Sequence, residues 1–355
     1  MKNLLVFFVL LFTFNSSAQF FQLTDIIEKD RYYRESKFPF LSSMKYPNTA
    51  NNINTYLHLA ILSKVAGKND SLIFSNVFAP EDEFWGQSLF TYSINRNDDK
   101  IFSISIAYDN TGSYTERFEE QFNFTTKTGK HLVLTDFFED ESLKKVGAIV
   151  NQHYYNMISN FMMSIDQSTE DGALKYGMYA DCLPNFENNR TLNPTEFRIE
   201  LNELIFLKER CSNHMMAALD ELWTLEYPMR FEDLTPFLNQ NAIALINKGK
   251  WKVSESKDVF NKILNGKIGK KTAITARINW SEFGDKVKGV YWYNSKKDPV
   301  DLVGSFNSEN KLILHEVIDG FDAGTFTGEI ANGKYTGSWL SKNGKKSVPF
   351  TLSID

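Results

Sequence analysis

The chain changes its hydrophobic rhythm several times, and each change predicts an element. Ile53, Leu57, Ala60 and Ile61 recur at helical spacing after Tyr46-Pro47, which predicts a helix near residues 49 to 64. Leu89 to Ile94 and Ile101 to Ala107 then alternate apolar and polar residues around the Asn95-to-Asp99 turn, a hairpin pattern. A second pair, Phe118 to Thr125 and Leu132 to Leu134, brackets the turn Lys127-Thr128-Gly129-Lys130. Leu143, Val146, Val150, Tyr154, Met157 and Phe161 step by three or four, so a helix follows, capped by Asp136 or Asp140. Residues 166 to 195 carry Asp, Asn, Gly and Pro with little periodicity and read as a long loop. Phe197 to Leu201 and Leu204 to Leu207 return to strand alternation around Asn202-Glu203.

From about residue 262 the pattern becomes purely β. Seven short strands, Thr272 to Trp280, Val290 to Tyr293, Val300 to Phe306, Leu312 to Val317, Thr325 to Ile330, Tyr335 to Leu340 and Val348 to Ile354, are separated by Gly, Asn, Asp and Lys turns. Phe326, Gly328 and Ile330 share a face, as do Tyr335, Gly337 and Trp339, and Val348, Phe350, Leu352 and Ile354. Curling such a meander on itself buries the apolar face and removes exposed edges, so a small barrel or strongly curled sheet is expected. The fold class is therefore an α+β N-terminal domain with a mainly antiparallel sheet, plus an all-β C-terminal meander. The expected division is 19–240 for the first domain, 241–261 for a connector and 262–355 for the second.

The first 18 residues combine Lys2, an apolar run from Leu4 to Phe14 and the small residues Ser16, Ser17 and Ala18. This is the layout of a secretory signal peptide cut between Ala18 and Gln19. An apolar core of that length is short for a helix that needs about 20 residues to span a bilayer. The expected compartment is periplasmic or secreted, with no stable membrane span after cleavage. A lipoprotein needs a Cys at the cut, and the chain's 2 cysteines are Cys182 and Cys211. In an exported protein these two are expected to pair, closing a loop whose entropy is worth roughly 3 to 4 kcal/mol.

Net charge is −5, which exerts no general pull toward nucleic acid or anionic lipid. Aromatic residues make up 14% of the chain, enough to fill β-rich cores with rings. The five histidines, His58, His131, His153, His214 and His315, show no metal-ligand spacing. No nucleophile elbow, phosphate loop or dinucleotide fingerprint is present. The acidic runs Glu81-Asp82-Glu83 and Glu139-Asp140-Glu141 fit solvated loops and helix starts better than the two separated carboxylates of a glycosidase. His315 and Glu316, adjacent on a strand, point to opposite faces and do not act as a pair. No catalytic, cofactor or metal residue is assigned, and no cofactor is expected.

The run Ser103-Ile104-Ser105-Ile106-Ala107-Tyr108, the stretch Phe122 to Lys130 with its Thr128-Gly129-Lys130, and Leu132-Val133-Leu134-Thr135-Asp136-Phe137-Phe138 resemble a known extracytoplasmic domain. That domain is shared by the RsiV-type lysozyme-sensing anti-sigma factor and the PdaC-type peptidoglycan deacetylase. Tyr46-Pro47 upstream, and Phe197 to Leu207, Tyr227-Pro228 and Leu234-Thr235-Pro236-Phe237-Leu238 downstream, fit the same pattern over residues 38 to 239. Where the family carries a Gly-Gly-Ala-His-like stretch, this chain reads Asp109-Asn110-Thr111-Gly112-Ser113-Tyr114. The C-terminal strands are similar to an uncharacterised β-module of exported bacterial proteins.

The resemblance implies a non-enzymatic cell-envelope module that binds or senses a protein of lysozyme type or a peptidoglycan-type glycan. Tyr114 and Trp292 are the candidate ligand contacts. The alternatives are an enzyme acting on cell-wall polysaccharide through a carboxylate pair, and a structural envelope protein.

Overall fold

The computed structural model describes residues 20–354, apart from 31, 66–72, 76, 79–85, 113–114, 247–258, 281–285, 297 and 319. The expected cleavage site at Ala18 and Gln19 lies outside the described residues, as do Glu81-Asp82-Glu83 and most of the expected connector. The chain folds as α+β followed by an all-β barrel, the class its pattern predicts.

The first unit opens with a hairpin, β1 (Gln22–Lys29) and β2 (Glu35–Ser42), then helix α1 (Pro47–Ile61). Pro47 suits the first turn of α1, where its missing N–H is no loss. The amide of Asn54 ties α1 to β2 by accepting from Leu41 N and donating to Leu41 O, both at 2.8 Å. Strands β3 (Gly86–Asn97), β4 (Ile101–Thr111) and β5 (Glu116–Thr125) form an antiparallel sheet in that order. Phe102, Ile104, Ile106 and Tyr108 of β4 face α1, Phe38 and Phe74 in one core.

The other face of β4 buries Ser103 and Ser105, which polar alternation alone would place in water. Ser105 is bonded by the Asn95 and Gln121 side chains, whereas Ser103 lies under strand β6 (Phe197–Ile199), where the Asn123 side chain supplies the missing bonds. Its Oδ1 accepts from Ser103 Oγ at 2.8 Å and Ile199 N at 3.1 Å, while its Nδ2 donates to Phe197 O at 2.8 Å. A buried amide thus joins two sheets that share no ladder.

Strand β6 pairs with β7 (Glu203–Lys208), and β7 with β8 (Leu225–Arg230), in a second antiparallel sheet. Helices α2 (Asp140–Met162) and α3 (Glu170–Cys182) cover it, burying Val146, Val150, Tyr154 and Ile158 from α2 and Met178 and Tyr179 from α3. Gly147 lets α2 approach the 190 backbone, since a Cβ there would fall 2.2 Å from Arg190 O. Short helices α4 (Phe231–Leu234) and α5 (Gln240–Ile246) end the unit.

Three local expectations are corrected, and one element is added. Residues 166 to 195 contain α3 rather than a long loop; Thr169 caps it by accepting from Gly172 N, and its narrow buried face leaves little periodicity to read. Leu132 to Leu134 is not a strand, because pairing stops at a single bridge between Phe124 and His131. Neither Asp136 nor Asp140 caps α2: Asp140 already lies inside the helix, and Asp136 instead accepts from Val133 N and pairs with Lys130. The β1–β2 hairpin had no counterpart in the pattern, since β1 buries no residue and its sequence carries no apolar alternation.

The C-terminal unit has eight strands, one more than the pattern shows: β9 (Lys262–Ile268), β10 (Thr272–Trp280), β11 (Val287–Tyr293), β12 (Val300–Phe306), β13 (Leu312–Ile318), β14 (Phe321–Ala331), β15 (Lys334–Ser341) and β16 (Ser347–Ser353). Each pairs antiparallel with the next, and β16 returns to β9, closing the barrel. Strand β9 escaped the pattern because Asn265, Gly266 and Lys267 interrupt its apolar alternation. Gly266 and Gly304 face inward, and a Cβ at either would lie 1.8 Å from a neighbouring strand's carbonyl oxygen, so closure at this tight radius requires glycine there. The interior is filled by Leu264, Ile274, Leu302, Leu314, Phe326, Phe350 and their neighbours, as expected at this strand number.

The barrel seats its outer face on α1. Trp292 and Val290 of β11 pack against Leu59 and Val65. Beside them the Arg277 guanidinium stands 4.6 Å from the Tyr56 ring centroid, and Asn279 Nδ2 donates to Tyr56 Oη at 3.3 Å. Tyr56 Oη is in turn hydrogen-bonded to His131 Nδ1 at 2.9 Å, and His131 N donates to Asn261 O at 2.9 Å. Burial, then the nearby Arg277 charge, hold the His131 imidazole down at about 3, and burial with Lys64 holds His58 down at about 4.

Both imidazoles are neutral when folded and titrate near 6.5 when unfolded. The unfolded chain therefore binds more protons below pH 6.5, and the stability these groups contribute is lost as pH falls from about 6.5 toward 3. Urea unfolding at pH 7 and pH 5 should show a loss on the order of 1 to 2 kcal/mol per buried histidine, and His131→Gln should flatten that pH dependence. An unchanged slope in the variant would remove His131 as its source.

Candidate functional site

Between β7 and β8 the chain runs through residues 209 to 224 without regular strand, and this segment exposes Met215 and Trp223. A rigid frame holds it. Cys211 is bonded to Cys182 at the end of α3, with Cα atoms 5.4 Å apart. The expected disulfide is therefore present, anchoring the segment to a helix instead of to a loop.

The second anchor is Asp220, which is only 2% exposed. Its Oδ1 accepts from Tyr179 Oη at 2.6 Å, Leu222 N at 3.2 Å and Trp223 N at 3.1 Å, and its Oδ2 from Ser212 N at 3.0 Å. The Tyr179 hydroxyl also accepts from Glu221 N and Leu222 N, both at 3.1 Å. Burial alone would raise this carboxyl, but the bonds from Tyr179, Ser212 and Trp223 outweigh it and hold the group below its ordinary value. Asn213 caps the short helical turn at His214–Leu219 by accepting from Met215 N and Met216 N.

The frame presents its side chains outward. Trp223 is 55% exposed and Met215 82% exposed. Trp223 also has φ +53°, a left-handed backbone that L residues other than Gly, Asn and Asp rarely hold. Such a conformation persists only where its surroundings enforce it, and Asp220 does so by binding the Trp223 amide directly. Arg210 lies 6.0 Å from the Trp223 ring centroid and pairs with Glu116 at the start of β5; His214 Nδ1 sits 2.9 Å from the other Glu116 oxygen. One carboxylate thus ties the segment to the β4–β5 turn. The arrangement can bind through ring, thioether and guanidinium, and among the described residues it sets no nucleophile against a base.

The two ligand contacts expected from sequence fare differently. Tyr114 lies outside the described residues, two positions before Glu116. Trp292 is 3% exposed and cannot stack on a ligand, because the outer face of β11 is the face that meets α1. Asp220, Trp223, Arg210 and Glu116 were not singled out by sequence. The segment has no periodicity, and its signal, Cys211-Ser212-Asn213 followed by Asp220-Glu221-Leu222-Trp223, reads as an ordinary polar loop.

The remaining candidates have local roles. Asp140 and Glu141 are exposed in the first turn of α2, with Glu141 bonded to Lys144. His153 stacks on Tyr227 with ring centroids 4.0 Å apart, and burial lowers its titration. His315 is exposed beside Thr325 while Glu316 is buried, the opposite orientation expected of strand neighbours. Among the described residues no group of three His, Cys, Asp or Glu is placed to hold a metal ion, and no helix is long and apolar enough to cross a membrane.

No family model matches the chain, and no curated protein matches it. Among solved structures, a DUF3298 family member from Bacteroides fragilis aligns at 12% identity with a TM-score of 0.41, covering 64% of this chain and 96% of its own. A DUF3298 family protein from Pseudomonas aeruginosa aligns at 11% identity with a TM-score of 0.36, covering 62% and 94%. At that distance neither likeness bears on function.

Replacing Asp220 should loosen the frame measurably. Asp220→Ala strands four donors and is expected to lower unfolding free energy by about 2 to 4 kcal/mol, with Asp220→Asn losing less. Urea denaturation followed by tryptophan fluorescence measures both; wild-type stability in Asp220→Ala would contradict the anchoring role.

Proposed function

We propose that the protein is an exported binding module of the cell envelope, acting in the periplasm or outside the cell, and that residues 209 to 224 form its ligand-binding surface. The observation that carries this reading is Trp223, an exposed indole held in left-handed backbone by a buried carboxylate. A backbone held in place before binding loses little entropy when a partner arrives. The Cys182–Cys211 bond suits an oxidising compartment and agrees with the signal-peptide pattern of residues 1 to 18. The sequence resemblance to the domain of lysozyme-sensing anti-sigma factors and peptidoglycan deacetylases points the same way.

A protein partner is favoured, because tryptophan, methionine and arginine are the residue types enriched at protein interfaces. A peptidoglycan-type glycan is the second reading, supported by the open face of the Trp223 ring. The competing class, an enzyme acting on wall polysaccharide, would need two carboxylates about 5 to 9.5 Å apart across a cleft.

Purified mature protein should be tested against lysozyme and against purified peptidoglycan, with the bound glycan assayed for cleavage and deacetylation. Stoichiometric binding without turnover is expected, weakened about 30-fold in Trp223→Ala, the size of an interface hot spot. Turnover abolished by a single carboxylate substitution would replace this reading with the enzyme. Binding to either ligand that Trp223→Ala leaves intact would move the surface elsewhere.

A further inference from the structure

Strands β9, β11, β13 and β15 all run toward one end of the barrel, and there a carboxylate points inward. Glu316, near the end of β13, continues the inward series Leu312 and Leu314 and is 3% exposed. Its Oε1 accepts from Tyr291 Oη at 2.6 Å and from Trp339 Nε1 at 2.6 Å, and the Tyr293 hydroxyl lies 3.2 Å from that of Tyr291. Both donors are neutral. Among the described residues no Lys, Arg or His forms an ion pair with Glu316, and Tyr291, Leu302, Leu314 and Phe326 belong to the buried core of the same barrel. A buried carboxylate without a cationic partner is costly, so a site of this kind gains from a cation that can reach it.

The surroundings define which cation. Gly324 faces the second oxygen, and a Cβ there would lie 2.5 Å from Glu316 Oε2 and 2.9 Å from Trp339 Nε1, so the missing side chain gives the carboxylate its room. Tyr293 and Trp339 are half-buried at the rim, and the chain already sets ammonium groups against their rings. Lys296 Nζ is 5.4 Å from the Tyr293 centroid and Lys346 Nζ 5.9 Å from the Trp339 centroid. Aromatic faces grouped around a carboxylate are the chemistry that recognises alkylated ammonium groups. A hard divalent ion fits poorly, since calcium takes about six to eight oxygen ligands and this site offers one carboxylate.

We propose that this end of the barrel binds an organic ammonium group, with Glu316 supplying the counter-charge and the half-buried Tyr293 and Trp339 the aromatic walls. The site is separate from the Trp223 surface and stands or falls without it. Its ammonium belongs to a free amine or to a lysine side chain of another protein.

The Trp339 indole N–H is a reporter at the site. Its resonance in the ¹⁵N-labelled full-length mature protein, assigned with Trp339→Phe, is followed during titration with n-butylammonium chloride, N-acetyl-lysine amide, n-butanol and sodium chloride. Saturable shifts with n-butylammonium alone indicate a free amine, and with both ammonium compounds a lysine side chain. Glu316→Gln, which keeps an acceptor for Tyr291 and Trp339, should bind about tenfold more weakly. Tyr293→Leu should also weaken binding and decides the matter if the first variant does not fold. The proposal is overturned if n-butanol or sodium chloride reproduces the shift, if neither ammonium compound saturates, or if the folded variants bind as wild type does.

Discussion

A carboxylate removed from water must find donors, and the segment between β7 and β8 is shaped by that requirement at Asp220. Three backbone amides and the Tyr179 hydroxyl converge on it. To supply them the chain must turn back on itself at Ser212 and again at Leu222 and Trp223. The second turn forces Trp223 into left-handed backbone and its ring toward solvent. Tyr179 can reach only because α3 packs on α2, so the exposed indole depends on the core behind it. The disulfide acts differently, limiting the unfolded chain and holding the end of α3 beside Cys211.

The same logic of satisfied burial joins the larger parts. Asn123 links the two sheets of the first unit through its side-chain amide, and Tyr56 links α1 to the barrel through Arg277, Asn279 and His131. Each link places polar groups where simple alternation predicts water. These groups are buried because another element lies over them, and that is a property of tertiary contact.

This separates what was legible in the sequence from what was not. The stripe Val146, Val150, Tyr154 and the inward faces of the last three barrel strands were readable because each apolar side faces one continuous core. Helix α3 and strand β9 were not, since α3 buries a narrow face and β9 carries an inward glycine where a hydrophobic residue would have marked it. The pairing of Cys182 with Cys211 was legible from count and compartment. Trp292 was misread because an aromatic on a strand gives no sign of which neighbour covers its outer face. Trp223 and Asp220 gave no sequence signal, because their roles come from a loop geometry that only the Tyr179 hydroxyl and the folded core define.

Hydrogen–deuterium exchange of the Ser212, Leu222 and Trp223 amides in the oxidised, unliganded protein tests most directly whether this surface is fixed before a partner arrives. The account predicts that they exchange as slowly as amides of the β7–β8 ladder, and faster once the disulfide is reduced. Exchange at the rate of an unstructured loop in the oxidised protein would contradict it.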